Sequence, residues 1–305
     1  MPSPAGGGWY KSPLMPTLAQ FLSQAFNGIA LGSLLALIAS GLSIILGTLG
    51  VLNFAHGAMF MLGAYTGFVV LGRWDSFVAA LALGALMLLL FGLAIERGLI
   101  RFYYRRPPED QILVTFGLGI MMIEAVRYVF GPLSQRMPLP SWGQGIVNFG
   151  FFLYPLYRVE AIGIVAVLLF AFYFLLYRTR IGLVVRAGIE DPLMVELLGT
   201  HVRRMFMVVF SIGAMAAGIA GVIYAPLAAV NPNMGEPFLV QCFVVVVIGG
   251  LGSFPGAVVG GIVVGEILSL TTLFDPSYAQ AAIYAAMTLV LIVRPRGLFG
   301  TMGRQ

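Results

Sequence analysis

Lysine is almost absent from this chain: Lys11 is the single one among 17 basic residues, and it follows Tyr10 rather than a glycine. No GxxxxGK[ST] phosphate loop can therefore be written, and the chain cannot be its own P-loop ATPase. Cysteine is as scarce. Cys242 stands alone inside an apolar run, which excludes an intrachain disulfide or a multi-thiol metal site and reads as a small packed hydrophobe. His56 and His201 fall in different regions with no HxxH or HExxH spacing, so no metal set is written, and no GxSxG nucleophile elbow appears. Charged residues make up 10% of the sequence against 60% hydrophobic ones.

What is abundant is apolar length. Runs near 20–47, 53–72, 77–95, 112–130, 161–177, 206–230, 238–271 and 279–293 reach or approach the roughly 20 residues that cross a hydrocarbon core as a helix. They predict an all-α polytopic membrane protein of about 8–9 transmembrane helices. The start, MPSPAGGGWYKSPLMP, lacks a basic region feeding a short apolar segment, so no removable signal peptide is expected. Residues 1–16 read as a flexible tail with Met15 as an alternative start, 17–300 as a single transmembrane domain, and 301–305 as a second tail.

The pI near 9.5 does not point to nucleic acid, because the arginines sit between spans. Arg97, Arg101, Arg105 and Arg106 fill one loop, Arg178, Arg180, Arg186, Arg203 and Arg204 another, and Arg294, Arg296 and Arg304 follow the last span. The positive-inside rule puts all three on the cytoplasmic side and leaves Gly131 to Glu160 outside. An even number of crossings must then separate the 178–205 loop from the C-terminus, whereas three apolar segments remain. The 238–271 run, interrupted by GGLGSFPG (249–256), is therefore expected to be two helices or a re-entrant hairpin. Nine crossings put the N-terminus outside; a re-entrant segment would put it inside.

A second break of similar character is expected near 47–57, within GTLGVLNFAHGA, and a weak internal repeat of the kind transporters carry is one reading of the pair. Polar residues inside apolar runs are candidates for function. Asn53 and His56, three apart, would share a helix face beside Gly57; they either line a translocation path or gate, or serve as a helix cap and a histidine satisfied by a carbonyl. Glu266 is the carboxylate deepest in an apolar stretch, with a pathway or interface role or a partner in the bundle. Glu124 and Arg127 suggest a local ion pair, and Gly213, Gly218 and Gly221 close helix packing. The polar island 178–205 is punctuated: Asp191 before Pro192 starts a short helix, 192–198, that ends at Gly199, a compact cytoplasmic element suited to docking a soluble partner.

LNFAHG with MLGAY (52–57, 61–65), RAGIEDPLMVELLG (186–199), GGLGSFPGAVVGG (249–261) and RPRGLFG (294–300) together resemble the branched-chain amino-acid ABC importer permeases of the LivH type. The resemblance implies the ABC importer permease fold and a second, LivM-like permease subunit. It also implies two cytosolic ATPases that use ATP and Mg, and an extracytoplasmic solute-binding protein, with no cofactor on this chain. The setting is the bacterial inner membrane, with lipid as neighbour and no nucleic acid. Arg186, Glu190, Asp191, Pro192, Leu197, Leu198 and Gly199 then lie in the loop that couples to an ATPase, although the family's EAA triplet is not literally present. The alternatives are a urea, short-amide or aromatic-acid permease of the same superfamily. From another class come an ion-coupled secondary transporter, which should carry more intramembrane carboxylates than Glu266, and a respiratory-complex subunit, which should carry buried lysines.

Overall fold

The computed structural model describes residues 17–104, 106–150, 152–199 and 201–300, the side chains of Ile189, Glu190 and Pro192 excepted. The two expected tails, 1–16 with Met15 and 301–305, lie outside the described residues, as do Arg105 and Arg304. Eleven α-helices occur among the described residues: α1 Leu18–Leu49, α2 His56–Trp74, α3 Phe77–Gly98, α4 Pro108–Phe130, α5 Leu156–Arg178, α6 Arg180–Glu190, α7 Pro192–Leu197, α8 Val202–Tyr224, α9 Gly235–Gly249, α10 Phe254–Phe274 and α11 Ala279–Val293. Seven helical stretches among the described residues are long and apolar enough to cross a membrane, and this is a multi-pass membrane protein. α2, of 19 residues, and the shorter α9, of 15, supply the other two apolar segments. The 238–271 run is indeed two helices, α9 and α10, packed against each other.

Three differences from the sequence reading have simple causes. The 178–205 island holds two helices: besides α7 there is α6, an amphipathic helix capped by Thr179, whose side chain accepts from the Gly182 amide at 3.2 Å. The loop expected outside carries a two-stranded hairpin, β1 (Ile146–Asn148) on β2 (Leu153–Pro155), and its Gln135 forms an isolated antiparallel bridge with Val230. And α5 begins at Leu156, ahead of its apolar run, because Pro155 precedes the first turn without being in it.

Small residues set the packing. α1 and α10 run antiparallel along their whole length. Ser269 donates to the Gln24 carbonyl at 2.6 Å, Gly28 lies under Glu266, Gly32 under Gly261 and Ile262, and the Ser43 hydroxyl donates to the Ser253 carbonyl at 3.4 Å. Without a hydrophobic force between helices in lipid, such close backbone approach supplies the attraction. α3 and α8 pair the same way through Gly84 on Val222, Gly218 on Leu88 and Gly92 on Ser211, and Gly213 faces Gly41 and Ile45. Cys242 is fully buried as packing, and Arg127 pairs with Glu124 at 2.5 Å.

The two breaks occupy 50–55 and 250–253, and the second packs on the last turn of α1, Gly47 lying against Gly252. Beside them the C-terminal segment lies along the end of α9: the Leu298 and Phe299 amides donate to the Ile248 and Gly249 carbonyls at 2.8 and 2.9 Å. This strap satisfies carbonyls that a helix end otherwise leaves bare. It also puts the end of α1 at the arginine-bearing end of the bundle and Leu18 at the other.

Candidate functional site

The first break is built from side chains that replace lost helical hydrogen bonds. Asn53, fully buried, accepts from the Ala55 amide at 3.1 Å in a local turn that leads into α2. Since α2 starts only at His56, Asn53 is not on the helix, and the expected shared face does not form. His56, also fully buried, reaches across to α1, with Nε2 at 3.0 Å from the Ile38 carbonyl, so the proton is assigned to Nε2. Gly57 is where α2 touches α9: a Cβ there would strike the Gly235 carbonyl. Thr115 of α4, unremarked in the sequence, holds the break from the other side. Its hydroxyl oxygen accepts from the Phe54 amide at 3.1 Å, and its proton faces the Leu52 and Gln111 carbonyls at 3.1 and 2.8 Å. Thr115→Val should cost about 1–3 kcal/mol by orphaning buried backbone groups, read as a lowered melting temperature, while Thr115→Ser should stay near wild type.

Glu266 is half-buried in the α1–α10 seam over Gly28. From there to Ile38, the His56 acceptor, is roughly 15 Å of helix rise along α1, so the two parts of the expected pathway are not brought together.

At the basic end, α6 folds back on α5. The Arg186 guanidinium donates to the Leu176 carbonyl and lies 4.9 Å over the Tyr177 ring, so Arg186 fixes the α5–α6 corner instead of facing outward. α6 ends at Glu190, whose side chain, like that of Pro192, lies outside the described residues. Asp191 caps α7 by accepting from the Met194 amide at 2.9 Å, Pro192 occupies its first turn, and Gly199 closes it at φ +82°, a left-handed conformation suited to glycine. The sequence thus located α7 within a residue. Val195 is its buried anchor, whereas Leu193, Met194, Leu197 and Leu198 point outward, the last two 73% and 78% exposed.

Between α7 and the ends of α1, α3 and α8 opens a cleft of about 1200 Å³ lined by Thr48, Arg97, Arg101, Asp191, Arg203 and Arg204 among others. Its wall includes Glu96, buried, which accepts from the Tyr104 hydroxyl at 2.6 Å, and the Tyr104 ring sits edge-on to Phe206 at 5.0 Å. Burial, and then Glu96, push the Tyr104 phenol far above its ordinary range, so the phenol stays protonated at any physiological pH. Neither Glu96 nor Tyr104 had a sequence signal beyond lying at the end of a span.

A bundle of apolar helices zipped by glycines, broken twice at one end and presenting a short apolar helix there, is an integral-membrane translocation subunit. The chain belongs to the family described as the permease component of the branched-chain amino acid transport system, whose profile matches residues 24–292. It is 32% identical to the high-affinity branched-chain amino acid permease LivH of Salmonella typhimurium over 92% of this chain and 96% of that one. It is 29% identical to BraD of Pseudomonas aeruginosa, over 94% and 98% of the two chains. LivM of Escherichia coli is 27% identical over 85% of this chain and 66% of its own. No solved structure matches.

Proposed function

We propose that this chain is one transmembrane subunit of an ATP-driven importer in the inner membrane and moves branched-chain amino acids by alternating access. In this reading a LivM-like permease completes the path, a solute-binding protein delivers substrate from outside, and two ATPases bind and hydrolyse ATP with Mg, since this sequence carries no GxxxxGK[ST] phosphate loop. The observation that carries it is the outward apolar face of α7 beside a charged cleft at the basic end. Leu197 and Leu198 would enter an ATPase groove, with Asp191, Pro192 and Gly199 holding the helix in shape, Arg186 bracing it on α5, and Glu190 at the joint. Asn53, His56 and Gly57 would keep the first break in register as the helices rock, and Glu266 would lie at the outer half of the α1–α10 seam.

Proteoliposomes holding the complete complex should take up radiolabelled leucine only with ATP and the binding protein. Uptake of urea or an aromatic acid in place of leucine would move the substrate within the superfamily, and uptake driven by an ion gradient without ATP would replace the class.

A further inference from the structure

We propose that the cleft between α7 and the ends of α1, α3 and α8 binds the phosphodiester headgroup of an anionic phospholipid from the cytoplasmic leaflet. Depth is the first argument. Thr48 to Gly50 end one span, Glu96 to Arg101 end another, and Val202 to Met207 begin a third, so the cleft sits where headgroups lie. Charge is the second. Arg97, Arg101, Arg203 and Arg204 line it, and none of the four makes a direct ion pair among the described residues, although Glu96 lies within the field of Arg101 and Arg97. The carboxylates that share the cleft are Glu96, Asp191 and Glu196. Glu96 accepts from Tyr104 and Asp191 from the Met194 amide, so both are held in place, and the four guanidiniums outnumber the three carboxylates.

Chemistry completes the fit. Leu49, Phe206 and Met207 give the same cleft an apolar floor for the first acyl carbons, and the buried Thr48 hydroxyl on its wall has no hydrogen-bond partner among the described residues. Basic pockets between spans on the cytoplasmic side are suited to anionic headgroups, and guanidinium forks to phosphate oxygens. An ATPase seated on α7 would cover the outer rim and leave the membrane side open.

The test uses the assembled transporter purified in detergent, with lipid binding read by native mass spectrometry against dioleoyl phosphatidylglycerol and dioleoyl phosphatidylcholine. One phosphatidylglycerol should be retained where phosphatidylcholine is lost. Affinity should fall about fivefold for each guanidinium removed, so roughly 25-fold in Arg97→Gln/Arg203→Gln; Arg127→Gln, at the other end, should bind as wild type does. If the double variant fails to assemble, Arg101→Gln alone should show the fivefold loss. Unchanged phosphatidylglycerol affinity in these variants, or equal retention of phosphatidylcholine, would overturn the assignment. So would displacement by glycerol phosphate at equal concentration, since the site would then be one for small soluble anions.

Discussion

Leu197→Asp/Leu198→Asp should bring ATP-driven leucine uptake down at least 100-fold while the permease accumulates and inserts normally. Both side chains are already largely solvent-facing, so charging them leaves the bundle untouched. In a groove on an ATPase the same charges would be desolvated without partners, and central apolar anchors of an interface carry about 2 kcal/mol or more each. Two of them account for the loss. Co-purification of the ATPase subunits separates the causes: their absence places the defect at docking, and their presence with full uptake would remove α7 from the coupling role. Leu197→Met/Leu198→Met, which keeps volume and apolarity, should transport. Asp191→Ala should fall between, because losing a helix cap costs about 1 kcal/mol and frays α7 without changing its face.

The second large effect is steric. Gly221→Leu should keep the protein from reaching the membrane in measurable amount, because even a methyl group there would meet the Phe60 carbonyl and the Ala64 amide of α2. Backbone cannot yield as a side-chain tip does, so overpacking here is expected to cost about 3 kcal/mol or more. Gly117→Leu and Gly163→Leu are the matched controls: nothing lies within 4 Å of a Cβ at either, and both should accumulate like wild type. Membrane-fraction immunoblots with thermal melting of the purified complex distinguish the two groups. Equal levels for all three variants would mean that the α2–α8 contact does not hold the bundle together.

Most of the fold was legible because hydropathy in a membrane protein is a length measurement, and α11, expected at 279–293, falls at those limits. Punctuation was legible for the same kind of reason: Asp191-Pro192 and Gly199 each force one local geometry, so α7 could be placed before any contact was known. What stayed hidden depended on pairing across the bundle. Asn53 and His56 look like neighbours on a helix, yet the Thr115 contacts that hold the break open come from α4. The small amphipathic α6 was masked by its charges, which read as loop. The acceptor of Arg186, the Leu176 carbonyl, is likewise a contact that no spacing in the sequence announces.

The α1–α10 seam also orders events during biosynthesis. Gln24 and Ser269, which are hydrogen-bonded, lie 245 residues apart. At about 5–20 residues per second, the first helix emerges roughly 10–50 s before its partner. Through that interval its glycine face has no native cover, and lipid, the insertion machinery or a neighbouring subunit must occupy it. The earliest-made span is thus among the last to be locked, and conditions that slow elongation late in the message should cost this protein more than the same delay early on.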